Sequence, residues 1–332
     1  SLVTQSGRDW NTDPSAIVTL TGDNTYTGIT YLNPFTQLQL GSGGTTGSIA
    51  SSSTIYMHRG TNLITNRSDN ITLANYIKNW DSYGPTWNNV DTQSNKFIQN
   101  GTGTVTLSNN SNDFYGKLQA VNGGLTITGS AGNVQNYVTN NGQAIVFDTT
   151  NATSNNQYIN NISGTGTLRV TGTGKLELYN STNGTFTGAT TIDSGAILQL
   201  DYGKLGGDIT NNGTLYFYNP SSMNYAGVIS GIGNLKQNYG TLTFSGANTY
   251  TGATSIGPDN GSTFYLGNGG TTGSLASASN ISVGSGSTLY FNRSNAMTVA
   301  NTISGAGDVS LVTQSGRDWN TDPSAIVTLT GD

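Results

Sequence analysis

Residues 1–23 read SLVTQSGRDWNTDPSAIVTLTGD, and residues 310–332 repeat all 23 letters at an offset of 309. An old internal duplication would have drifted further. The identity implies a parent protein that repeats about every 309 residues, with this chain covering one period plus an overlap. An artificial duplication would read the same way. Ser1 falls mid-pattern, which reads as an arbitrary cut with no signal peptide in view. A second repetition is degenerate. NTYTG at 24–28 returns at 248–252, with GTFTG at 184–188 and NDFYG at 112–116 as relatives. ISGTG at 162–166 returns as ISGIG at 229–233 and ISGAG at 303–307. These markers divide one period into about four degenerate units of roughly 77 residues. The first and last units agree best. GSGGTTGSIA at 41–50 matches GNGGTTGSLA at 267–276, and NRSDNITLANYI at 66–77 matches NRSNAMTVANTI at 292–303, both at an offset of 226.

Within the units apolar and polar residues alternate over short runs, as in Gln37-Leu38-Gln39-Leu40, Lys175-Leu176-Glu177-Leu178 and Thr241-Leu242-Thr243-Phe244. Period 2 predicts half-buried strands, and the Gly, Asn and Ser clusters between them predict turns. No run carries the spacing or the residues of an amphipathic helix. Sandwiches, propellers and β-helices all use short strands. Unequal units favour the β-helix, because a solenoid absorbs surplus residues in its loops. Coils of about 20–25 residues are expected, with stacked Asn, Ser and Thr in ladders. One period would then extend on the order of 65 Å.

Composition agrees and excludes several functions. Hydrophobic residues make up 33% and charged residues 9%, both low for a globular domain, yet 17 Tyr, 9 Phe and 4 Trp argue against disorder. The 12 Lys and Arg are scattered, so no basic patch exists for nucleic acid. No apolar stretch is long enough for a membrane helix, so this segment is not expected to insert. Absence of Cys fits an exported surface protein.

The run Leu20-Thr21-Gly22-Asp23-Asn24-Thr25-Tyr26-Thr27-Gly28, followed by the strand to Leu40 and the GGTTGSI turn, resembles the autotransporter-associated β-strand repeat of large bacterial surface proteins. The likeness is strong over Leu20–Ile49 and Phe244–Leu275, partial over Gly184–Leu200, and weakest around Asn112–Gly116. It implies a right-handed parallel β-helix passenger at the cell surface. The ligand does not follow from the resemblance, because such passengers serve adhesion, aggregation and display alike.

Catalytic chemistry finds little footing. Glycoside hydrolysis wants two facing carboxylates, but the chain has one Glu, Glu177, and its close Asp pairs, Asp9/Asp13 and Asp201/Asp208, fall on polar turns. His58 is the only histidine and has no partner set for a metal or a triad. No catalytic residue, metal ligand or cofactor is therefore assigned. One pattern stands out. Every Trp lies in an insert, Asp9-Trp10-Asn11-Thr12-Asp13 (recurring with Trp319) or Trp80-Asp81-Ser82-Tyr83-Gly84-Pro85-Thr86-Trp87. Each Trp could simply cap its own loop. Alternatively Asp9, Trp10, Asp13, Trp80, Tyr83 and Trp87 form contact or ligand loops for a neighbouring fibre or a glycan.

The sequence thus predicts an all-β, right-handed parallel β-solenoid running through residues 1–332, a tandem-repeat segment of an extracellular bacterial fibre and not an enzyme. An adhesin passenger is the alternative. Expected partners are further copies of the same array, and glycans or abiotic surfaces.

Overall fold

The computed structural model describes residues 17–79, 95–129, 136–140, 142–150, 156–159, 161–179, 186–201, 205–218, 222–259, 261–311 and 326–331. Among these there is no helix, so none long and apolar enough to cross a membrane. Two units of contacts divide the chain, Ser1–Arg169 and Val170–Asp332. Both are parallel β-solenoids, since every strand pair of described register is parallel.

In the first unit one face stacks the strands Ile17–Leu20, Gln37–Leu40, Asn62–Thr65, Lys96–Gln99, Lys117–Ala120, Asn136–Thr139 and Ile162–Gly164. Successive strands therefore belong to successive turns. Lys117 pairs with Asn136, a turn of 19 residues, and Asn62 pairs with Lys96, a turn of 34 that contains residues 80–94. Alternation decides which side chains go in. Leu38, Leu63, Phe97, Leu118, Tyr137 and Ile162 align through the register, and each is at most 2% exposed. Two residues along, Leu40, Thr65, Gln99 and Ala120 form the next inward row, in which Thr65 and Gln99 are buried. Thr65 Oγ1 donates to Gln99 Oε1 at 2.6 Å, and Gln99 Nε2 donates to the carbonyl of Gly103 at 2.5 Å. That satisfies polar groups which burial would otherwise penalise.

The second unit repeats the plan. On one face Lys175–Leu178, Ile197–Leu200, Thr214–Tyr218, Asn234–Asn238, Thr254–Ile256, Ile281–Val283 and Ile303–Gly305 follow in register, with turns of 17 to 27 residues. The spread exceeds the expected 20–25 because in-register pairing constrains only the strands, and corners take up the difference. Leu176, Leu198, Leu215 and Leu235 form one fully buried row. Beside it Phe217, Phe244 and Phe264 pack edge to face at 5.7 and 5.0 Å, the arrangement aromatic quadrupoles prefer. The expected polar ladders are present: Thr254 Oγ1 and Ser279 Oγ share a hydrogen bond at 3.0 Å, and in the first unit Asn122 donates to Asn100 Oδ1 at 2.9 Å.

Leu198 lies between Leu176 and Leu215 with no exposed surface, so the coils above and below cannot collapse onto a cavity there. Replacement by Ala is expected to lower stability by about 3 kcal/mol in urea denaturation. Hydrogen exchange should quicken mainly in the adjoining coils, as nearest-neighbour stacking requires.

Candidate functional site

The six residues that the sequence singles out, Asp9, Trp10, Asp13, Trp80, Tyr83 and Trp87, all lie outside the described residues, as does Trp319. The remaining chemistry-bearing groups can be placed. Glu177 is buried and ion-paired to Lys175, whose Nζ also donates to Gln199 at 3.1 Å. Gln199 in turn donates to buried Asp201 at 2.7 Å. Asp208 caps the backbone N–H of Val228 at 2.8 Å. His58 is half-buried, and Arg59 beside it covers the ring of Phe35 at 5.7 Å. Among the described residues no three His, Cys, Asp or Glu side chains gather as metal ligands do.

The repeated motif residues bind the chain to itself. Arg67 reaches back one coil to the GGTTGS turn, donating to the carbonyls of Thr45 and Gly47, while its Nε and Nη2 hold both oxygens of Asp69 at 2.9 and 2.8 Å. Asp23 joins at 3.4 Å and accepts from Gly47 N–H and Ser48 Oγ. In the second unit Arg293 does the same to the carbonyls of Thr271 and Gly273, with Asn295 in place of Asp69. The turn needs glycine where the Arg passes. A Cβ on Gly47, at φ +106°, would lie 2.3 Å from the backbone N of Gly41. The asparagines of NYI and NTI act as a second stitch. Asn75 donates to the carbonyls of Ala50 and Ser53, and Asn301 to those of Ala276 and Ser279. In NTYTG the Tyr hydroxyl meets the Thr four residues on, at 2.8 Å for Tyr26 and 2.6 Å for Tyr250.

Outward positions that do not repeat carry further aromatic side chains. In the second unit Tyr216 and Tyr218 alternate outward from the strand Thr214–Tyr218, and Asn238 pairs with Tyr218 in the next coil. Tyr239 follows it. The three rings are half-buried and form two edge-to-face pairs, Tyr216–Tyr218 at 5.9 Å and Tyr218–Tyr239 at 5.0 Å. Asn238 is 4% exposed, and its Nδ2 donates to exposed Asp259 at 3.2 Å. Burial raises the pKa of the Tyr216 phenol, an effect that Asn238 opposes and Asp259 reinforces, so the ring keeps its proton. Tyr239 sits at φ +76°, a left-handed conformation that costs a bulky residue about 1–2 kcal/mol and that Gly or Asn adopts more easily. Sequence reasoning missed this cluster. Its signals, Tyr-Phe-Tyr at 216–218 and Asn-Tyr-Gly at 238–240, meet only once the register is known.

Comparison with known proteins finds two relatives of one kind. The chain is 30% identical over 148 residues to the autotransporter adhesin/invasin TibA of Escherichia coli O78:H11 (strain H10407 / ETEC), which covers 42% of this chain and 14% of that protein. It is 30% identical over 211 residues to the adhesin BmaC autotransporter of Brucella suis biovar 1 (strain 1330), covering 51% of this chain and 6% of that protein. The chain thus spans a small fraction of the length of either. No family model and no solved structure matches it.

Two predictions come from the corner. Gly47→Ala should destabilise the first unit by more than about 2 kcal/mol, whereas Gly44→Ala, with open space at its Cβ and no left-handed φ, should be neutral within about 1 kcal/mol. Chemical denaturation of both variants checks this. The second concerns acid. Ser48 and Gly47 lower the pKa of Asp23, and Arg67 lowers that of Asp69, from the ordinary 3.8. Their contribution is therefore complete above that value and lost as pH falls through the depressed folded values. A double variant Asp23→Asn, Asp69→Asn should show a smaller fall in Tm between pH 5 and pH 2 than the unaltered chain. An equal fall would mean that these carboxylates do not support the corner.

Proposed function

We propose that this chain is a scaffold segment of an exported, surface-exposed passenger of a bacterial autotransporter-type adhesin, and that it acts by binding and not by catalysis. The observation that carries the reading is the use of the repeated motif residues. Arg67, Arg293, Asn75 and Asn301 all stitch one coil to the preceding one, so the repeated part of the sequence encodes length and rigidity. Contact with a target then belongs to outward residues that differ from coil to coil. Likeness to stretches of two autotransporter adhesins supports the same reading and a cell-surface location. Sequence alone puts a structural filament first and adhesion second; the relatives move adhesion forward. The filament remains a second reading, favoured by the identical segments 1–23 and 310–332, and in it the chain's main partner is further copies of its own array.

Display of the 332-residue chain on a non-adherent bacterial host, fused to a heterologous translocator, tests the proposal. Adherence to epithelial cells, adherence to glass and autoaggregation are compared with the translocator alone. A clear rise in at least one is expected. If the chain is at the surface by protease accessibility and none rises, the adhesin reading fails. Electron microscopy of the native material would then decide for the filament through an axial repeat on the order of 65 Å.

A further inference from the structure

The outer face of the second unit combines three features at one place. The first is aromatic surface without a core role: Tyr216, Tyr218 and Tyr239 are half-buried, while the inward positions beside them, Leu215 and Phe217, are fully buried. The second is directional polarity. Asn238 is 4% exposed, its Nδ2 is committed to Asp259, and its Oδ1 accepts no hydrogen bond among the described residues. Through Nδ2 the Asn238 amide fixes the exposed Asp259 carboxylate in place. The third is strain. Tyr239 is left-handed, as is Gly240 after it, and the turn is fixed by Tyr239 N–H donating to Ser262 Oγ at 2.9 Å and Gln237 Nε2 donating to the Gly240 carbonyl at 3.1 Å. An asparagine would hold that backbone with less strain, so the ring itself has a use.

From these features we infer that Tyr216, Tyr218, Tyr239, Asn238 and Asp259 form a subsite for a neutral hexopyranose unit of a glycan. The chemistry matches on both sides. A pyranose presents a patch of C–H groups, which an aromatic ring covers well, and a rim of hydroxyls. The exposed carboxylate of Asp259, held by the Asn238 amide, accepts one of those hydroxyls strongly. Sugar charge is selected against. Asp259, the hydroxyl acceptor, meets a uronate or sialic acid as like charge, although exposed Lys236 pairs with Tyr216 one coil on. The subsite rests on the adhesin reading for its biological use but not for its existence, because it can be measured on the purified chain.

The test uses the full 332-residue chain and a panel of immobilised glycans, neutral hexose oligomers beside uronate- and sialic-acid-terminated ones. Neutral glycans should bind and acidic ones should not. Tyr239→Asn and Asp259→Asn should each weaken binding about tenfold or more. Tm separates the two possible roles of Tyr239. With a binding role, Tyr239→Asn leaves Tm unchanged or raises it. A lower Tm with unchanged binding would make the ring structural and overturn the inference. Preference for acidic glycans, or no glycan binding, would also overturn it. Displayed chain whose adherence is lost in Tyr239→Asn yet persists on enzymatically deglycosylated cells would point to a protein partner and reject the sugar. Adherence unaffected by Tyr239→Asn would leave the adhesin reading standing and sink the subsite alone.

Discussion

Each coil of a parallel solenoid has unpaired backbone donors and acceptors along both edges, and only another coil of matching path can satisfy them. The other features of both units follow from that constraint. In-register pairing fixes which residue sits above which, so inward positions form rows, as from Leu38 through Leu63 and Phe97 to Leu118. The core is then one side chain deep from each face. That explains how a chain with 33% hydrophobic residues stays ordered: few apolar groups are needed, but each must occupy its row. Corners are free of the constraint, which is why turns of 17 and of 34 residues stack in the same architecture.

The corners carry their own requirement. A chain leaving one strand must turn sharply, which exposes carbonyls that no strand pairs. Arg67 and Arg293 meet this by delivering guanidinium donors from the following coil to the turn carbonyls. Glycine is required at Gly41 and Gly267 in the same corner: both are left-handed, and a Cβ there would lie 2.5 and 2.3 Å from the carbonyl oxygens of Asn66 and Asn292, and 2.7 Å from the Cγ of Arg67 and Arg293. The Arg and its glycines are therefore a single device split between two coils, and they recur together at one offset. Tyr26 and Tyr250 show how far such a device depends on neighbours. Both make the Tyr–Thr contact, but Tyr250 is fully buried beneath a coil that pairs through Ile229, whereas Tyr26 is 42% exposed.

The fold was largely legible because the signals that specify it are local. Alternation at Gln37–Leu40 or Lys175–Leu178 depends only on adjacent residues, and the repeats state the stacking outright. The common offset of 226 for GGTTGS and NRS shows that the two motifs travel together, although not that one clamps the other. The Tyr cluster was not legible. Tyr218 and Tyr239 are a coil apart, and their meeting depends on Tyr218 pairing with Asn238 and on a left-handed Tyr that no propensity would predict. Rarity drew attention to the Trp inserts instead, which lie outside the described residues.

A solenoid separates the residues that hold it from the residues it can present. Along one row of the second unit the inward positions Leu176, Leu198, Leu215 and Leu235 are the same residue, while the outward positions beside the last two are Tyr216 and Lys236. Because each coil contacts mainly its neighbours, an outward substitution changes the local surface without unsettling the rows within. Strain is tolerated for the same reason. The left-handed Tyr239 disturbs a single corner, and the side chains of Ser262 from the next coil and of nearby Gln237 hold it there. Recognition in such a protein can therefore arise coil by coil, on a backbone whose repeated residues are already committed to stacking.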